Sequence, residues 1–128
     1  MAKNKLQKFK ELETIQNTIQ PDKNVLLKDE FCLKGHWENE FNNKNPIVLE
    51  LGCGKGEYTV SLAKKFPHIN YIGIDIKGAR IWKGAKLAFE NKLNNVRFLR
   101  TQIEFLPFCF SEKEVSESNM NSDSSDST

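Results

Sequence analysis

The sequence has no run approaching the roughly 18 consecutive apolar residues that a membrane-crossing helix needs. Its lysine-rich start, residues 1–10, lacks the apolar stretch and cleavage site of a secretory signal. Both absences point to a cytoplasmic protein. Cysteine is scarce: Cys32, Cys53 and Cys109 are scattered, with no C-x-x-C pair and no histidine at zinc-ligand spacing. Neither a disulfide framework nor a metal site is therefore expected. Apolar residues make up only 38% of the 128 positions, which allows one domain with a modest core. The four prolines, Pro21, Pro46, Pro67 and Pro107, are few enough that each marks a boundary.

Charge is unevenly spread. The formal net charge is +2, yet residues 116–128 carry Glu117, Asp123 and Asp126 and no base, which leaves +5 on residues 1–115. That excess is compatible with a polyanionic partner without diagnosing one. The acidic segment is otherwise serine and asparagine, with Met120 as its one apolar side chain. With so little to bury against the entropy of ordering, it is expected to be a disordered tail.

Three organisational segments follow: an N-terminal extension over residues 1–45, an α/β unit over 46–115, and the tail over 116–128. In the first, Leu6, Phe9, Leu12, Ile15 and Ile19 recur every three or four residues and predict an amphipathic helix that Pro21 ends. Lys3, Lys5, Lys8 and Lys10 oppose the helix dipole at its start. In the second, the apolar run Ile47–Leu51 suits a buried parallel strand, followed by a helix over 58–66 that Pro67 stops. A second strand over 71–76, a second helix over 79–92 and a third strand over 96–99 come next. This alternation is the first half of a doubly wound α/β sheet of Rossmann type.

The first strand runs into Glu50-Leu51-Gly52-Cys53-Gly54-Lys55-Gly56-Glu57. Glycines at alternate positions let the backbone turn sharply and approach a ligand without side chains in the way. A dinucleotide site presents G-x-G-x-x-G to a pyrophosphate, whereas here the spacing is G-x-G-x-G between two carboxylates, Glu50 and Glu57. S-adenosylmethionine carries an ammonium and a sulfonium, so this acidic setting favours it over a phosphate-bearing cofactor. The alternative for Glu50 is a strand end facing water. Within the loop, Cys53 reads as a small residue filling a tight turn, a reactive thiol being the alternative.

Asp75 closes the second strand, where an acid can accept both ribose hydroxyls of a nucleoside; a helix N-cap is its other role. By topology, Gln102 and Ile103 after the third strand lie near the adenine, the former as donor and acceptor, the latter through its amide and apolar surface. Lys77, Arg80, Lys83 and Lys86 follow Asp75 at intervals of three, with Trp82 among them. The cations form either a phosphate-contacting band in which Trp82 stacks on a base, or a solvated helix face.

Two strings, L-E-L-G-C-G-K-G-E-Y-T over residues 49–59 and G-I-D-I-K-G-A-R over 73–80, resemble the bacterial transfer-RNA (guanine-N7)-methyltransferases, as does R-T-Q-I-E over 100–104. The resemblance spans roughly residues 3–115. It implies a Rossmann-like fold and methyl transfer from S-adenosylmethionine to N7 of the variable-loop guanine of transfer RNA, with no metal. It implies cofactor contacts at Glu50, Gly52, Gly54, Gly56, Asp75, Gln102 and Ile103, Gln102 standing where the wider family often has aspartate. Transfer-RNA contact is implied at Lys3 and Lys5, and the basic residues Lys77 and Arg80 are further candidates.

The family's F-P-D-P stretch, whose aspartate takes part in methyl transfer, has no counterpart here, so no catalytic residue is assigned. The sheet is expected to be truncated after its third strand, with Ile47–Leu51 an unpaired edge prone to self-association and methylation impaired. A non-catalytic module that retains cofactor or RNA binding is the alternative.

Overall fold

The computed structural model describes residues 4–12 and 15–120. One parallel sheet forms its centre, built from β1 (Thr18–Ile19), β2 (Ile47–Leu51), β3 (Asn70–Asp75), β4 (Val96–Arg100) and β5 (Glu117–Met120) in the order β1-β4-β3-β2-β5. The helices are α1 (Lys5–Leu12), α2 (Lys23–Leu27), α3 (Trp37–Phe41), α4 (Glu57–Lys65), α5 (Gly78–Glu90) and α6 (Leu106–Cys109), with a 3-10 turn at Ile103–Phe105. The three strands read from sequence are β2, β3 and β4. They lie side by side in parallel, as the crossovers through α4 and α5 require.

Period-two alternation divides the strands between two cores. On one face Val48, Tyr71, Val96 and Phe98 pack with Val60 and Ala63 of α4 and with Ile81, Ala85 and Ala88 of α5. On the other Ile47, Leu49, Ile72, Ile74 and Leu99 meet Leu26, Trp37, Phe41, Cys109 and Phe110. Trp37 is fully buried; its ring stacks on Phe110 with centroids 5.0 Å apart, and its Nε1 donates to the Cys109 carbonyl at 2.9 Å. A buried indole therefore keeps both its apolar contact and its hydrogen bond. Beside it the Glu114 carboxylate accepts from the backbone N–H groups of Gly35, Trp37 and Ser111 at 2.9, 3.0 and 2.9 Å. Residues of the first 45 positions thus supply part of the second core.

Two expectations are corrected. Of the helix predicted up to Pro21 the described part is Lys5–Leu12, residues 13–14 lie outside the described residues, and Ile19 instead lies in β1, paired with Leu99. Its apolar side chain fits the pleat of an edge strand as readily as a helix stripe, so periodicity alone misplaced it. Segment 22–45, without a clean period, contains the short helices α2 and α3. Second, the tail expected to be disordered from Ser116 forms β5 as far as Met120, so the sheet does not stop at its third predicted strand and the β2 edge is paired. The stretch 121–128 of that expectation lies outside the described residues. The physical reason is the demand of a buried strand's backbone for partners, which polar residues meet as well as apolar ones. Ser116 N–H begins the ladder with a 2.8 Å bond to the Ile47 carbonyl, and the β5 side chains stay exposed.

Candidate functional site

Gly52, Gly54 and Gly56 all adopt left-handed backbone, with φ of 66°, 57° and 72°. Two bonds tie the loop they form to β3: Cys53 N–H donates to the Ile74 carbonyl, and Gly54 N–H to Asp75 Oδ2, each at 2.9 Å. Gly56 ends the loop as the N-cap of α4. A Cβ there would sit 2.6 Å from Phe98 Cε1, and one at Gly84 of α5 only 2.7 Å from the Lys55 carbonyl oxygen. Phe98 also lies 2.9 Å from where a Gly73 Cβ would be. Glycine at these three positions lets the loop, β3 and α5 close around one aromatic ring.

At the carboxyl ends of β3 and β4 this loop borders an open cleft of about 360 Å³. Gly52, Asp75, Gln102 and Ile103, four of the residues predicted for a cofactor, line it together with Lys77 and Arg80. Its volume lies within the range of small-molecule sites. Asp75 accepts from Gly54 N–H with Oδ2 and from Lys77 N–H with Oδ1 at 2.9 Å, and Arg80 Nη1 stands 4.0 Å from Oδ2. The carboxylate thereby joins the glycine loop to the start of α5. Sequence reading missed Ile76 and Glu104, which also line the cleft. Ile76 closes the second predicted strand, yet the residue is 48% exposed, and with Ile103 it gives the cleft apolar walls. The signal available was position: the first apolar residue after an acid at a strand end.

Glu50 is fully buried, neither facing water nor lining the cleft. Its Oε2 accepts from Asn119 Nδ2 at 2.9 Å, a contact that exists because β5 occupies the adjacent register. Gly54 and Gly56 also lie outside the cleft lining and act through loop shape. Burial pushes the Cys53 thiol far up, with the Asp75 and Glu50 charges adding to the shift and Arg80 opposing it. A thiol held protonated is a poor nucleophile, which favours the space-filling role for Cys53.

Of the residues predicted for nucleic-acid contact, Lys77 and Arg80 lie at the cleft, and Lys5 is exposed on α1. Lys3 lies outside the described residues. Trp82 is half-buried against the first core, and the ammonium groups of Lys8 and Lys86 lie 5.0 and 5.8 Å from its ring centroid. Its ring is thus occupied by cations. Among the described residues, no group of three or more His, Cys, Asp or Glu side chains is placed to hold a metal, and no helix is long and apolar enough to cross a membrane.

Residues 44–121 match the model of a family described as putative methyltransferases. The chain is similar to the tRNA (guanine-N(7)-)-methyltransferase of Christiangramia forsetii, at 61% identity over 117 residues, covering 91% of this chain and 52% of that protein. It is similar to the tRNA (guanine-N(7)-)-methyltransferase of Bacteroides fragilis at 48% identity, covering 91% of this chain and 47% of that protein. The chain spans about half the length of the curated relatives it matches. Among solved structures, an antibiotic-related methyltransferase superposes with a TM-score of 0.59 at 20% identity, covering 67% of this chain and 45% of that one, a likeness of fold.

Proposed function

Because the chain belongs to this methyltransferase family, we propose that it binds S-adenosylmethionine in the cytoplasm for methyl transfer to N7 of the variable-loop guanine of transfer RNA. The observation that carries this reading is the cleft itself: a glycine loop, an acid at the end of β3, and two apolar walls with Gln102 between strand end and solvent. Such a surface suits a nucleoside, whose flat base is apolar on its faces and whose ribose hydroxyls need an acceptor. The relatives named as tRNA (guanine-N(7)-)-methyltransferases support the choice of substrate.

In this reading Asp75 accepts the ribose hydroxyls with lone pairs left over from its bonds to Gly54 and Lys77. Ile76 and Ile103 flank the base, and Gln102 hydrogen-bonds its edge. Glu50 acts through its field: its charge is felt at Cys53 inside the loop, where it favours a cationic group. Gly52, Gly54 and Gly56 shape the loop so that backbone lines the approach. When bound, S-adenosylmethionine supplies a methyl group activated by the sulfonium. N7 of guanine already carries a lone pair, so the protein's task is alignment and a negative environment as charge moves onto the base. Lys77 and Arg80, at the cleft mouth, attract the phosphate backbone.

Titration calorimetry of the purified chain with S-adenosylmethionine, beside methyl incorporation into transfer RNA, tests this. Cofactor binding is the expected result, with incorporation at guanine N7 impaired, as the absent F-P-D-P stretch implies. Binding without incorporation leaves a cofactor-binding module, and absence of both overturns the reading.

A further inference from the structure

α1 packs along α5, and this packing gathers cations that are distant in sequence. Along α5 the charged residues are Arg80, Lys83, Lys86 and, at its last position, Glu90. Lys77 precedes it at the cleft, and Lys8 of α1 joins Lys86 over the Trp82 ring. Lys83 pairs with Glu57 at 3.7 Å, but both side chains are more than half exposed, so the pair holds weakly and leaves the cation available. At roughly 1.5 Å per residue, the row from Lys77 to Lys86 covers on the order of 14 Å. A spacing of three also turns it around the helix, toward α1.

We propose that this α1–α5 ridge, centred on Lys8, Lys83 and Lys86, is a second contact surface for the sugar-phosphate backbone of RNA, continuous with the cleft mouth; the proposal rests on the transfer-RNA reading above. Half-buried Trp82 is its platform. Cation–aromatic contact holds both flexible lysines at one ring, 5.0 and 5.8 Å from its centroid. Neutral or basic ligands gain nothing from these cations, while phosphates spaced along a strand match them. The ridge begins at Lys77 and Arg80, so an RNA whose base reaches the cleft has its flanking backbone directed along α5.

Binding of a labelled transfer-RNA transcript to the purified chain, followed across a KCl series, provides the test. The double variant Lys8→Gln/Lys86→Gln is expected to weaken binding roughly tenfold and to lower the slope of log affinity against log salt by about 1 to 2. Its S-adenosylmethionine affinity by calorimetry and its melting temperature stay near those of the parent. Lys8→Arg/Lys86→Arg, which keeps both charges, restores affinity and slope. Equal transcript binding by parent and Gln variant overturns the ridge and leaves the proposed function standing. Absence of transcript binding by the parent overturns both. Binding of the parent to phosphatidylserine-containing vesicles but not to the transcript, lost in the Gln variant, assigns the ridge to a membrane surface and likewise overturns the proposal.

Discussion

Asn119 donates its side-chain amide to Oε2 of the fully buried Glu50 at 2.9 Å, from a strand whose composition gave no hint of order. A hydrogen bond within a part-buried polar pair contributes about 0.5–1.5 kcal/mol. Asn119→Ala is therefore expected to lower stability by about that amount, read from the urea midpoint at neutral pH. An unchanged midpoint would show that β5 and Glu50 are not coupled.

The ring of Phe98 predicts a contrast between two glycines. Gly73→Ala meets Phe98 and the Cys53 sulfur, both side chains, whereas Gly84→Ala meets the Lys55 carbonyl and the Gly56 Cα, both backbone, as well as Phe98. Each alone is expected to cost about 1–3 kcal/mol through overpacking. In a Phe98→Ala background, itself costing about 3–5 kcal/mol, the Gly73 penalty largely vanishes and the Gly84 penalty persists. Equal behaviour in a double-mutant cycle by denaturant unfolding would sink this account of the loop.

Alkaline pH should destabilise the fold through its thiols. Burial raises Cys109 from the usual 9.0 to about 11, with Lys34 opposing, and raises Cys53 further. A raised acid keeps its proton longer in the folded state, so its contribution is complete below the unfolded value of 9.0 and is lost as pH climbs toward 11. Melting temperature should fall across that window, and Cys109→Ala should flatten the fall. A slope indifferent to the variant would refute the assignment.

Asp75→Ala removes the acceptor of both Gly54 and Lys77 N–H groups. Two donors left without partners cost about 1–3 kcal/mol each where buried, and affinity for S-adenosylmethionine should drop at least roughly tenfold. Calorimetry and a thermal melt on the same sample separate the two effects. A folded variant with parental affinity would remove Asp75 from the cofactor site.

Glu114→Ala strips one carboxylate from three backbone N–H groups around Trp37. A loss of roughly 2–4 kcal/mol is expected, visible as a lower urea midpoint and earlier Trp fluorescence change. Cofactor affinity, at the other end of the sheet, should hold. Parental stability would mean that the Gly35 and Trp37 N–H groups find water instead.

The central layer was legible in the sequence because its signals are local. Continuous apolar runs, crossover helices and the alternate glycines located β2 to β4 and the loop within a residue or two. Asp75, Gln102 and Ile103 fell in one cleft because strand ends in this fold share an edge. The edges were not legible. β1 owes its place to backbone pairing with β4, and β5 to pairing with β2, and main-chain hydrogen bonds leave no mark on side-chain pattern. The surroundings of Glu50 were hidden for the same reason: its buried carboxylate accepts from Asn119, 69 residues away. Ile76 was missed because apolarity reads as core until the surrounding shape is known.

The sheet's outer strands pair across long stretches of chain: Thr18 with Phe98 and Val48 with Glu117. Closing such loops costs entropy that contacts repay only after β2, β3 and β4 stand together. Assembly therefore runs from the centre outward, and the borders are the first to open. Amide exchange would be slowest along β3 and quickest in the two flanking strands, so the loop at the heart of the cleft rests on the most persistent part of the molecule.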